Sequence, residues 1–242
     1  MIGPPPIVPR EFVVPMMVET KDFILKPLGW NLTHLDFEAY MSSVAHLQAT
    51  FDLDGDSLEI DGQRWPAGSD LEFAFVDTAW CQFEWQHLRS SFSYVALSPD
   101  ESQEIACGYI FRSKREGFLI ECQTWVRASL LNNGFDSTFY DWFRNWVETE
   151  WPYDPQTIAW PGRTITWDAW NALPNVLPDP WITKWPIHAV TRSDRADAPN
   201  ATDEIAATQV TVGHVGRVLG AVAPTLPDPS PDFSRNVDVA GC

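Results

Sequence analysis

Positive charge is scarce in this chain: 16 Lys and Arg stand against 33 Asp and Glu, a formal net charge of −17 over 242 residues. So acidic a protein is not expected to bind nucleic acid or an anionic membrane, because both are held by basic patches. An anionic ligand would need Arg, Lys or helix N-termini gathered locally. Cysteine is also sparse. Cys81, Cys107, Cys122 and Cys242 form no C-x-x-C pair, so neither a zinc site nor a disulfide framework is suggested. No apolar run approaches the roughly 20 residues of a membrane span, and "MIGPPPIVPREFVVPMM" lacks the apolar stretch of a signal peptide. The sequons at Asn31 and Asn200 are therefore read as chance matches. "DLDGDSLEID" (52–61) has Asp at the right intervals for a calcium loop. Its glycine is misplaced, however, and Gln63 stands where a bidentate Glu belongs, so a plain acidic loop without metal is expected. What is abundant is apolar and aromatic surface, 45% hydrophobic residues with 13 Trp, enough to bury a sizeable core. The expectation is a soluble cytoplasmic protein.

Residues 1–18 carry five prolines and read as an extended arm. "DFILKPL" (22–28) is a short strand. Thr33 followed by Asp36 resembles a helix start, with Phe37, Tyr40, Val44 and Leu47 on one apolar face. Ser69-Asp70-Leu71-Glu72 reads as a capping box opening a helix to about Leu88, with Leu71, Phe75, Ala79 and Phe83 on its apolar side. The period then changes to two: "SFSYVALS" (91–98), "EIACGYIFR" (104–112) and "GFLIECQTWVR" (117–127) predict three antiparallel strands joined by tight turns. Asp136 is expected to cap a helix through Trp151, and "QTIAW" (156–160) to form one more strand. Prolines and tryptophans, Trp181 and Trp185 among them, fill the segment after residue 163. Strand, two helices, three strands, helix and strand form an α+β order.

Several marks along this order resemble the GCN5-related N-acetyltransferase (GNAT) family. They are Asp77-x-x-Trp80-x-x-x-Glu84, Ser91-Phe92-x-Tyr94, Ser98-Pro99-Asp100-Glu101, Cys107-Gly108-Tyr109-Ile110, Glu121-x-x-x-Trp125-Val126-Arg127, Trp151-Pro152 and Pro161-Gly162-Arg163. The resemblance spans residues 22–163. It implies a mixed, largely antiparallel sheet flanked by helices over residues 19–163. The prolines and tryptophans of the extension (164–242) lead to a separate expectation, that it packs on the domain or on a second copy as a homodimer. It also implies acetyl-CoA as donor and an amine on a small molecule as acceptor. Pantetheine would lie against the strand at 117–127, and pyrophosphate on the turn that follows.

That turn departs from the family's Arg/Gln-x-x-Gly-x-Gly/Ala pattern, reading Leu131-x-x-Gly134-x-Asp136. Two readings of "NNGFD" stand. It is either a structural turn, with an acid placed to displace an anion, or a phosphate cradle made of the amides of Asn133, Gly134 and Phe135 with help from Arg127 or Arg144. In the second case acetyl-CoA is the cofactor. In the first, the scaffold has lost CoA and acts on an apolar metabolite by acid–base chemistry. Glu121 is the leading candidate base, since a carboxylate among apolar residues is pushed towards neutrality; the alternative is an ion pair with Arg112 or Arg127. Glu84 and His87, three apart near a helix end, are the next catalytic candidates. Trp80, Tyr94, Tyr109 and Trp125, all within the quoted marks, are the candidate substrate contacts. Cys81 reads as a packed thiol.

Overall fold

The structure is a computed structural model, and residues 5–51, 59–60 and 62–176 are described here. Trp181, Trp185, the rest of the C-terminal segment and the 52–58 loop lie outside the described residues. A six-stranded sheet runs in the order β1 (Val18–Glu19), β2 (Ile24–Pro27), β5 (Ser91–Leu97), β6 (Glu104–Arg112), β7 (Ile120–Val126), β8 (Ile158–Ala159). All neighbours are antiparallel except β7 and β8, which are parallel and paired only at Ile120/Ile158 and Glu121/Ala159. A small hairpin, β3 (Glu59–Ile60) with β4 (Gln63–Arg64), stands apart. The helices are α1 (Thr33–Met41), α2 (Val44–Phe51), α3 (Leu71–Phe83), α4 (Phe135–Glu150) and α5 (Trp167–Asn171). A helix pair, an antiparallel meander, a turn into α4 and a parallel last strand follow one another in the order that the sequence resemblance implies.

Each strand sends alternate side chains to opposite faces, and the register sorts them. On one face Leu25, Phe92, Tyr94, Ile110, Cys122 and Val126 meet α4 through Phe139, Phe143, Trp146 and Val147. On the other, Val95, Leu97, Cys107 and Trp125 meet Ala39, Tyr40, Ala74 and Cys81 of α1 and α3. The arm is extended but also part of the core. Val8 is buried, Phe12 packs on Trp151 and the Tyr94 hydroxyl donates to the Pro15 carbonyl. Arg89, left-handed at φ 55°, pins it by donating to the carbonyls of Pro9 and Phe12. Beyond residue 163, Trp170 is fully buried and Arg115 donates to Leu173, Asn171 and Asn175, so the first part of the extension packs back on the domain.

Three sequence expectations are corrected. The single apolar helix from Thr33 is two, broken at Ser42–Ser43. Thr33 donates to the Trp30 carbonyl and bonds the Thr78 hydroxyl instead of capping, while Asp36 is buried. The α3 cap is Asp70, which accepts from the Phe73 N–H at 2.8 Å. The buried side of α3 is Ala74, Thr78 and Cys81, whereas Phe75 and Phe83 are exposed. Small residues let the helix approach the sheet closely, which the larger aromatics would not allow.

Candidate active site

The α1/α3 face of the sheet is where the carboxyls collect. Four of them form a row: Glu84 in the π turn that ends α3, Asp77 about two turns back along α3, Asp36 on α1, and Glu104 opening β6. Each lies within electrostatic reach of the next. Asp77 and Glu84 are partly exposed; Asp36 is 4% exposed and Glu104 is fully buried. Glu104 pairs with Leu97 in the ladder, so its side chain shares Leu97's face beneath α1. Burial pushes Asp77 up to about 7, with the Glu84 charge adding to it. Asp36 and Glu104 rise well above the carboxylate range, first by burial and then by mutual repulsion along the row. Glu84 is raised by burial against the hydrogen bonds it accepts from Ser91 and Trp80.

Of the other sequence candidates, Tyr109 and Trp125 lie on this face, joined by Trp125 Nε1–H donating to the Tyr109 hydroxyl at 3.0 Å. Trp80 is on α3 beside Glu84, its ring tilted against that of Phe83. Tyr94 is on the opposite face, in the aromatic core with Trp146 and Trp151. His87 is exposed against the Phe83 ring, and the π turn separates it from Glu84, whose side-chain partners are Ser91 and Trp80. Glu121 is buried on the α1/α3 face, and its Oε2 accepts from the Lys114 backbone N–H at 3.1 Å. The two arginines suggested as its ion-pair partners are engaged elsewhere. Arg127 grips Glu38 with both Nη atoms and donates from Nε to the Glu104 carbonyl; Arg112 donates to the carbonyls of Pro5 and Pro6. Glu121 thus holds the β6–β7 turn. Glu121→Ala should cost about 1.5–3 kcal/mol in urea unfolding by stranding that N–H, and Glu121→Gln, which keeps an acceptor, should cost less than half as much.

The turn between β7 and α4 begins as a short 3-10 stretch, Ala128–Asn133, and Gly134 takes φ 78° before α4 starts at Phe135. A Cβ built on Gly134 would meet nothing within 4 Å, so the chain is uncovered at that residue. Asn133 Oδ1 accepts from the Phe135 N–H. Asp136 does not cap the helix as expected. It lies in the first turn, and both its oxygens are held by Arg163 at 2.6 Å, a bidentate charge-assisted pair. Arg163 also reaches Thr124 of β7 and lies over the Tyr140 ring of α4, 4.9 Å from its centre. It therefore stands where β7 and β8 separate. His46 on α2 completes this corner. Burial lowers its imidazole, with Asp136 raising it and Arg163 lowering it.

These residues do not fit the pyrophosphate of CoA. A carboxylate sits in the helix's first turn, where the dipole would otherwise favour the phosphate. The arginine that could neutralise it is bound to that carboxylate. Arg144, paired with Glu148 one turn along α4, and Arg127, gripping Glu38 from the sheet's other face, do not reach the turn in this arrangement.

No family model and no curated protein sequence matches this chain. Solved structures similar to it include three acetyltransferases. The ribosomal-protein-S5-alanine acetyltransferase from Vibrio fischeri has a TM-score of 0.42 at 12% identity, over 55% of this chain and 68% of that one. A putative GnaT-family acetyltransferase from Bordetella pertussis has 0.37 at 13%, over 56% and 74%. RimL, a ribosomal L7/L12 α-N-protein acetyltransferase, has 0.39 at 12%, over 58% and 70%. Among the described residues no helix is long and apolar enough to cross a membrane, and no cluster of three or more His, Cys, Asp or Glu could hold a metal.

The quoted sequence marks contained Asp77, Ser91 and Arg163 without singling them out, and they left Glu104 aside. For Asp77, Ser91 and Glu104 the signal is an acid or hydroxyl at an inward position of an otherwise apolar element, Glu104 opening a strand being the plainest case; Arg163, in the turn after β8, carried no such signal.

Proposed function

We propose that the protein is a GNAT-fold enzyme acting on a small molecule by proton transfer on the α1/α3 face, with the CoA phosphate seat filled by its own Arg163–Asp136 pair. The observation that carries this reading is the Asp77–Glu84 pair at the partly exposed end of the row. Ser91 orients Glu84 by donating to it, and the neighbouring Asp77 carboxyl is divided between its two protonation states near neutrality. That is the condition under which a carboxyl serves as general base in one step and general acid in the next. In this role ionised Glu84 takes a proton from the bound molecule and protonated Asp77 returns one; the proton then passes from Glu84 to Asp77, which restores the pair, and Tyr109 and Trp125 bound the site.

A second reading keeps acetyl-CoA as acyl donor. The uncovered chain at Gly134 favours it, but it requires Arg163 to leave Asp136 for the pyrophosphate. Calorimetric titration separates the two. Wild-type protein should give no binding heat with acetyl-CoA at millimolar concentration. Asp136→Gly, which removes the like charge and frees Arg163, should gain measurable affinity that fades with salt. Micromolar binding by the wild type would establish the second reading and remove the first.

A further inference from the structure

We propose that Arg89, Arg112 and Tyr153 bind one inorganic phosphate ion beneath the N-terminal arm, and that the ion locks the arm onto the domain. Arg89 stands in the turn before β5, and Arg112 ends β6 two residues after Ile110, on the α4 face of the sheet. Although the chain carries 33 Asp and Glu, neither guanidinium meets a carboxylate among the described residues. Their hydrogen bonds there go to the arm. Arg112 donates from Nη2 to the carbonyls of Pro5 and Pro6, and Arg89 from Nη2 to those of Pro9 and Phe12. Cations gathered without countercharge in so acidic a protein mark a place for an anion from outside.

An independent observation is a set of buried donors whose bonds are unmade. Nε of Arg89, Nε of Arg112 and the Tyr153 hydroxyl are each shut away from solvent without a hydrogen-bond partner among the described residues. So is Nε1 of Trp151, whose ring stacks on that of Tyr153. The Tyr153 hydroxyl lies within electrostatic reach of both guanidiniums, so these donors share one neighbourhood. Buried charges and donors left in this state are costly, and an anion accepting from them removes both costs. The donors come from the turn before β5, from the end of β6 and from the chain after α4. That spread suits a tetrahedral oxyanion better than a flat carboxylate. The arm covers them, with Val8 buried and the Ile7 N–H donating to the Arg89 carbonyl at 2.8 Å. A bare ion therefore fits where a phosphate carried on a larger molecule, acetyl-CoA included, does not. The 16 residues of α4 also set Trp151 about 24 Å from the Gly134 turn.

The ion site lies on the face opposite the carboxyl row and is independent of the chemistry proposed there. The experiment is calorimetric titration of the full chain with sodium phosphate, methyl phosphate and sodium acetate at constant ionic strength, with hydrogen exchange of the Ile7 amide followed in the same solutions. Phosphate should bind at one site, and methyl phosphate and acetate about tenfold or more weaker. Saturating phosphate should slow Ile7 exchange about tenfold, because the ion holds the arginines that hold the arm. Arg112→Gln and Tyr153→Phe should each weaken phosphate by about tenfold or more, while Arg163→Gln should leave it unchanged. Tyr153→Phe removes only an unpaired hydroxyl, and it tests the site should Arg112→Gln fail to fold. No binding heat with phosphate, equal affinity for methyl phosphate or acetate, or undiminished binding by Tyr153→Phe would each overturn the proposal. So would Ile7 exchange that phosphate leaves unchanged, or loss of binding in Arg163→Gln, which would put the ion at the turn into α4.

Discussion

Raising the pH from 5 to 7.5 should lower the urea midpoint of this protein, the reverse of what surface carboxylates produce. Asp77 ionises near 3.8 in the unfolded chain but near 7 in the fold. Between those values the folded state holds the extra proton, so stability falls as pH rises, by about 1.4 kcal/mol per pH unit for one fully shifted group. Above about 7 the Asp77 contribution levels off. Asp36 and Glu104, raised further by deeper burial, extend the decline. His46, held low by burial, works the other way just below its ordinary 6.5. Glu38, lowered by Arg127, is already ionised throughout and adds no slope. Growing net negative charge acts in the same direction as the buried acids, so the comparison that isolates the row is wild type against Asp77→Asn. The variant's decline should be shallower by up to about 1.4 kcal/mol per pH unit between pH 5 and 7. Parallel curves would mean that Asp77 is ionised in the fold as it is outside it.

Gly108→Ala should destabilise the domain by about 3 kcal/mol, at the upper end of overpacking costs. Gly108 sits mid-strand in β6, opposite Tyr94 and Thr124, where α4 presses onto the sheet. A Cβ there would stand 2.5 Å from Cε2 and Cζ of Phe143, a contact real Cβ atoms do not make. The Phe143 ring is fully buried and enclosed by Phe139, Trp146 and Trp160, so it has no free rotamer to take. Pairing the change with Phe143→Leu should recover most of the loss, because the branched side chain ends short of the new methyl. A single variant that unfolds at the wild-type urea concentration would show that α4 rides higher on the sheet than described.

The meander was legible in the sequence because period-two alternation survives wherever one face packs on a helix. β5, β6 and β7 appear within a few residues of their expected ends. The face carrying Glu121, Gln123, Trp125 and Arg127 was legible for the same reason. The interior side of α3 was not. Phe75 and Phe83 satisfy a helical apolar period, yet the residues turned to the sheet are Ala74, Thr78 and Cys81, with Asp77 beside them. A hydrophobic pattern cannot register a helix whose inner face is small and partly polar. The same limit hid the carboxyl row, whose members come from three separate stretches between residues 36 and 104. At the turn the sequence showed Asp136 as an acid in an anion's place. Its partner Arg163, 27 residues later, became visible only once β8 turned back beside β7.

In the function proposed above, the Arg163–Asp136 pair closes the turn between β7 and α4 to a pyrophosphate. Amide chemical shifts of the labelled full chain, followed while acetyl-CoA is added to millimolar concentration, test it residue by residue. The signals of residues 124–140 and 160–165 should stay in place in the wild type, and in Asp136→Gly the signals of that same segment should move progressively towards saturation. Saturable shifts in that segment of the wild-type protein would contradict it.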